Sequence, residues 1–156
     1  MPTFRKVIDD TAKQTVTDAL QGTLSDLQDL AHHTKQAHWA VYGVQFKALH
    51  EFTDELTDYY REQADEMGER MLALGVMPQG QIDDIKKNTA LQRFPEGFVV
   101  GTEVAKLLAE RFHTVAVRVR ERIAAVGDHD PLTEDMLVAL GESLEKHLWM
   151  LTVQEG

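Results

Sequence analysis

Four stretches of this chain repeat apolar residues every three or four positions with polar residues between, the spacing that gives a helix one buried face. The first runs from about Thr11 to Ala40 through Val16, Leu20, Leu24, Leu27 and Ala31, with Asp10 or Thr11 as the expected cap. The second, about Val44 to Leu74, carries Leu49, Phe52, Leu56, Tyr59, Met67, Met71 and Leu74. The third covers Gly101 to Val126 through Val104, Leu108, Phe112, Val115 and Val119. After a turn at Gly127 to Asp130, Pro131 opens a fourth that reaches Thr152 along Leu137, Leu140, Leu144 and Leu151. Between the second and third, Pro78, Gly80, Pro95 and Gly97 punctuate a connection of the length needed to cross a bundle. No repeat or low-complexity segment divides the chain. The expectation is an all-α fold: one four-helix bundle over residues 1–156, with residues 1–13 a flexible N-terminal segment.

At 156 residues and 43% hydrophobic content, the chain can bury one sizeable core. It has no cysteine, which removes disulfides, thiolate metal ligands and thiol catalysis. No apolar run approaches a membrane span and the N-terminus, MPTFRKVIDD, lacks a signal peptide's hydrophobic region, so a cytoplasmic protein is expected. The formal charge of -10 disfavours a broadly basic nucleic-acid surface and suits cation handling. Arg5, Lys6 and Lys13 stand against Asp9 and Asp10, and the C-terminal VQEG adds no basic extension; DNA binding is expected to be weak or absent.

The second helix concentrates the candidate chemistry. At about 100° per residue, His50, Asp54, Asp58, Asp65 and Glu69 share an arc of roughly 100°. A solvated acidic stripe is the plain reading of such a face. Two features point past it. His50/Asp54 and Asp65/Glu69 are i,i+4 pairs, close enough to converge on one ion. Imidazole with carboxylate also suits Fe(II) and Mn(II), with zinc a competing occupant. Yet Asp54 and Asp65, at about 1.5 Å of rise per residue, stand roughly 16 Å apart, too far to hold a single ion. Two copies of the helix lying antiparallel across a two-fold axis would resolve the conflict, with His50 and Asp54 of one chain opposite Asp65 and Glu69 of the other. A chain reversal near Gly43 would bring His38 from the first helix to the same place.

The run KQAHW at 35–39, Gly43, Phe46, LHE at 49–51 with Asp54, and D-x-x-x-E-R at 65–70 followed by Leu74 and Gly75 resemble the Dps mini-ferritins, the DNA-binding proteins from starved cells. Thr133, Asp135 and EKHLWML at 145–151 extend the likeness through the last quarter. Gly68 departs from it, where the family usually has a small helix former such as Ala, at a local cost of about 1 kcal/mol. The resemblance implies a ferritin-like bundle with a short helix, here Gln81 to Asn88, in the crossover between helices two and three. It implies a homo-dodecamer built from two-fold dimers. It makes His38, His50, Asp54, Asp65 and Glu69 the catalytic iron ligands, puts Trp39 beside them, and sets Asp135, Glu142 and Glu145 along acidic pores for iron entry. Read alone, Trp39 is equally a core aromatic beside the turn, and the three acids are equally ordinary surface residues.

The expected function is a ferroxidase and iron store. It would oxidise Fe(II) with hydrogen peroxide or dioxygen and keep ferric mineral in a hollow shell, with Asp58 and Glu62 as candidate nucleation sites. The alternative is a nucleoid-associated, DNA-binding protective shell with weak or no ferroxidase activity. A metal hydrolase on the same bundle lacks a positioned nucleophile. Glu110 and His113 form one Glu-x-x-His pair where a single-bundle di-metal site needs two, so they are read as structural. Nothing marks His32 or His33 as ligands. Arg111, Arg118, Arg120 and Arg122 are expected on a solvated or intersubunit face.

Overall fold

The Asp9 carboxylate opens the first helix by accepting the Ala12 backbone N–H at 2.9 Å, so α1 spans Asp10–Ala40. The cap lies one residue before the expected Asp10 or Thr11, and Asp10 to Lys13, expected in the N-terminal segment, form the first helical turn. The structure, a computed structural model, describes residues 3–155; Met1 and Pro2 of the expected flexible segment, and Gly156 of the C-terminal VQEG, lie outside the described residues.

After α1 the chain reverses. Gly43 adopts φ +98°, a left-handed conformation that a side chain would strain, and its carbonyl accepts the Phe46 N–H at 3.1 Å. Because the turn consumes these residues, α2 spans Phe46–Ala73, starting two residues later than its periodicity indicated. A two-residue strand just before the turn, β1 (Val41–Tyr42), pairs in parallel with β2 (Val99–Val100), Val41 opposite Val99. Helical periodicity gave no sign of this ladder, which ties the α1–α2 turn to the far end of the crossover. Within the crossover α3 spans Ile82–Asn88, its start fixed by the Asp84 carboxylate accepting the Gln81 N–H at 3.2 Å. Then α4 (Gly101–Val126) and α5 (Pro131–Thr152) complete a four-helix bundle with a short helix between its second and third long helices. Helix α1 packs on α2, α4 on α5, and α1 on α4.

The apolar stripes meet in one core. Leu20, Leu27, Leu49, Leu56, Leu108, Phe112, Leu137 and Leu144 are fully buried. On α2 the buried aromatic is Tyr60; Tyr59, expected there, is half-buried, because its hydroxyl reaches outward to donate to Ser143 Oγ at 2.7 Å. The arginines also differ from expectation. Arg111 is buried, donating to His33 Nδ1 and to the Leu107 and Gln92 carbonyls at 2.7 Å each, with its guanidinium over the Phe94 ring. Arg118 and Arg122 both reach Asp26 Oδ2 at 2.8 Å, and Asp26 is 0% exposed. Only Arg120 is exposed. The solvated half of the expectation, a solvated or intersubunit face, fails for Arg111, Arg118 and Arg122 because a buried carboxylate and the crossover's carbonyls need donors, and a guanidinium supplies several at once. Among the described residues no helix is long and apolar enough to cross a membrane.

Candidate metal centre

The α1–α2 reversal places His38, in the last turn of α1, against His50, in the second turn of α2. One turn deeper, the buried hydroxyls of Thr34 and Thr57 are 2.8 Å apart and fasten the two helices together. Above this fastening the histidines hold each other by the backbone: His38 Nδ1 lies 2.7 Å from the His50 carbonyl, and His50 Nδ1 lies 2.9 Å from the His38 carbonyl. A carbonyl only accepts, so each Nδ1 carries the proton and each Nε2 keeps its lone pair, the tautomer a metal ion needs. The rings stack with centroids 3.7 Å apart, and Phe46 covers His50 at 4.9 Å.

Asp54 lies one turn after His50, with Oδ1 4.0 Å from His38 Nδ1. Its carboxylate makes a close ion pair with the Lys35 ammonium. That hydrogen bond, more than offsetting partial burial and joined by the positive charges of Lys35, His38 and His50, holds the Asp54 carboxyl below the usual carboxylate range. Lys35 is the residue that sequence reasoning left without a role. Its position three residues before His38 in KQAHW puts it on the ligand face, and that spacing was the available signal.

Asp65 and Glu69 are exposed on the downstream half of α2. Asp65 borders a groove formed by Gln28, Arg61, Gly68, Pro78 and Gly80, away from the histidines. Their scaffold is firm: Arg70 donates to Asp130 Oδ2 at 2.6 Å and to Thr133 Oγ1 at 3.1 Å. Among the described residues no group of three or more His, Asp or Glu side chains stands close enough to hold an ion. One chain thus brings His38, His50 and Asp54 into a neighbourhood and keeps Asp65 and Glu69 elsewhere.

The other sequence candidates separate by exposure. Trp39 is 64% exposed, so it is not the core aromatic that one reading made it. Asp135 and Glu142 are exposed on α5. Glu145 is paired with Arg120, Oε1 to Nε 2.5 Å, and this contact holds its carboxyl below the usual range. Asp58 and Glu62 are exposed. Glu110 and His113 lie on the α4 surface beside Lys106 and Thr152.

Known proteins resemble this chain over most of its length. The ferritin-like domain family matches residues 17–154. The DNA protection during starvation protein of Agrobacterium fabrum is 34% identical over 141 residues, covering 90% of this chain and 87% of that protein. DNA protection during starvation protein 2 of Deinococcus radiodurans is 33% identical over 133 residues, 85% of this chain; the matched part spans only 55% of that longer protein. Among solved structures, a Dps of Mycobacterium smegmatis superposes with a TM-score of 0.91 at 28% identity, covering 97% of this chain and 92% of that one.

Proposed function

The chain belongs to the ferritin-like domain family and, within it, to the Dps proteins, and from that premise we propose that it is a ferroxidase and iron store acting against oxidative stress. The observation that carries the proposal is the pair of histidines, each locked through Nδ1 by the other's backbone carbonyl so that Nε2 is left for a ligand, with Asp54 Oδ1 4.0 Å from His38 Nδ1. Two such chains packed antiparallel along α2 close the site: His38, His50 and Asp54 come from one chain, Asp65 and Glu69 from its mate. Six of these dimers form the hollow dodecamer.

Fe(II) is the substrate. An arriving cation displaces the Lys35 ammonium from Asp54, so the carboxylate exchanges one positive partner for another rather than standing bare. One ion is held tightly and a second more loosely. Anionic oxygens stabilise Fe(III) over Fe(II), which lowers the cost of oxidation. With two irons present, hydrogen peroxide takes both electrons and leaves as two hydroxides, and no hydroxyl radical is released. Peroxide rather than dioxygen as oxidant rests on the family likeness alone. Asp135 and Glu142 attract incoming Fe(II) at the pores; Glu145 reaches them with its charge already met by Arg120. Ferric product nucleates at Asp58 and Glu62 on the cavity face. The relatives' names speak of DNA protection, and at a net charge of -10 this chain would protect by removing iron and peroxide in the cytoplasm rather than by coating DNA.

Anaerobic Fe(II) loading followed by a peroxide pulse tests this. The wild-type assembly should show a fast ferric absorbance rise. His50→Ala/Asp54→Ala should abolish it while the assembly keeps its mass, and unchanged kinetics in that variant would refute the assignment.

A further inference from the structure

Tyr60 is the largest fully buried side chain of the bundle and the only tyrosine of three with no exposed surface. Its hydroxyl lies 2.7 Å from Nδ1 of His147 on α5. Phe112 packs edge-on against the Tyr60 ring at 5.3 Å and Tyr59 at 5.0 Å, while Phe52 sits edge-on to His147 at 6.2 Å. A buried phenol needs an acceptor, and a carbonyl or a serine would satisfy it. Here the acceptor is a base. Burial, helped by the neighbouring Lys146, pushes the His147 pKa down and so favours the neutral imidazole, whose Nδ1 faces the phenol. Burial, and then Tyr59, pushes the Tyr60 pKa up, so the phenol does not ionise by itself.

These groups have one chemistry in common. A phenol that loses an electron becomes a very strong acid, and in an apolar enclosure the electron leaves readily only where a base can take the proton at the same moment. We propose that Tyr60 and His147 form an internal one-electron donor: Tyr60 gives up an electron, its hydroxyl proton crosses the 2.7 Å hydrogen bond to His147 Nδ1, and a neutral phenoxyl radical remains beside an imidazolium. Tyr60 is fully buried and His147 partly so, and the proton returns across the same hydrogen bond when the radical is reduced.

The position gives the donor a use, which rests on the ferroxidase reading above. Tyr60 lies six residues after Asp54 and five before Asp65, within about 9 Å of helix rise of each ligand pair. When only one Fe(II) is bound, peroxide finds one electron at the metal, and single-electron reduction would release hydroxyl radical. The pair supplies the second. Fe(II), hydrogen peroxide, the phenol and the neutral imidazole yield Fe(III), two hydroxides, the phenoxyl radical and the imidazolium. Iron and tyrosine each lose one electron, the O–O bond takes both and breaks, and the phenolic proton ends on His147.

Two experiments on the assembled protein test this. In the first, metal-free protein carrying Tyr42→Phe and Tyr59→Phe, so that Tyr60 is the sole tyrosine, is oxidised with hexachloroiridate(IV) and frozen for electron paramagnetic resonance. A neutral tyrosyl radical is expected, and it should vanish on adding Tyr60→Phe. His147→Asn, whose side-chain oxygen can take the place of Nδ1 as acceptor but not as base, should keep the fold and melting temperature and lose the radical. A tyrosyl signal that survives His147→Asn with equal yield and lifetime, or no signal in the sole-tyrosine protein, overturns the proposal. In the second, one Fe(II) per site is treated with one equivalent of peroxide. The wild type should form the same radical and little spin-trapped hydroxyl radical, and Tyr60→Phe should release more of it. Iron oxidised without any tyrosyl radical overturns the link to the metal. Iron left unoxidised in both proteins refutes the ferroxidase reading instead, and the metal-free experiment then decides the pair by itself.

Discussion

At its upstream end α2 holds His50 by a carbonyl of α1 and Asp54 by the Lys35 ammonium; eleven residues on, Asp65 and Glu69 stand in the open while the helix beneath them is fixed by Arg70 and Asp130. Upstream, the side chains are oriented. Downstream, the backbone is oriented and the carboxylates are left uncommitted. A group fixed before its ion arrives loses little entropy on binding, whereas an exposed carboxylate with no partner among the described residues can serve a ligand that comes from outside. On the proposed function, the two halves meet across a subunit boundary, and this difference is what supports that reading.

The largest way to break this comparison is to remove its upstream half, where loss of His50 and Asp54 is expected to end peroxide-driven oxidation altogether. Next comes the footing of the downstream half. Asp130 is 3% exposed and binds Arg70 and Thr133, so Asp130→Ala should cost about 3 kcal/mol in chemical unfolding by stranding the Arg70 guanidinium. Burial raises the Asp130 pKa, but the hydrogen bonds from Thr133 and Arg70 outweigh it and the net shift is downward. A lowered folded pKa means that this stabilisation is complete above the unfolded carboxylate range, around pH 4, and fades as pH falls through the folded value. The gap in melting temperature between wild type and Asp130→Ala should therefore be widest at pH 7 and narrow steadily as the pH is taken below about 4.

A smaller effect belongs to the turn that brings His38 to His50. At φ +98°, Gly43→Ala should cost about 1–2 kcal/mol; the added Cβ would meet Val100 at an ordinary 3.7 Å, so the penalty is backbone strain rather than a clash. Iron oxidation should slow with it, because the reciprocal histidine bonds depend on that reversal. The smallest effect has the opposite sign. An added Cβ at Gly68, the residue before Glu69, would meet only Pro78 at 3.8 Å, so Gly68→Ala should stabilise the fold by about 1 kcal/mol in the same unfolding measurement.

Periodicity alone located the long helices because each buries a continuous apolar stripe, and α4 and α5 begin and end where Gly101, Val126, Pro131 and Thr152 indicated. It missed the β1–β2 ladder, since two residues are too short to show a period. It also misjudged the arginines, because the partners that draw them inward, Asp26 and the Gln92 carbonyl, are far away in sequence. At the site, residue type and spacing singled out His38, His50 and Asp54, yet the tautomer of each histidine follows from a carbonyl contact that no spacing encodes. Lys35 was in view within KQAHW, and its role emerged only once its ammonium was seen on Asp54.

The shared site is tested most directly by mixing two inactive chains. His50→Ala/Asp54→Ala lacks the upstream half and Asp65→Asn/Glu69→Gln lacks the downstream half, so each alone should oxidise no Fe(II) at the centre. Unfolded together in equal amounts and reassembled at random, half of the dimers pair one chain of each kind, and each of these holds one complete site of two. Fast peroxide-driven oxidation should return to about a quarter of the wild-type amplitude. A mixture as inactive as its parents would contradict a centre built from two chains.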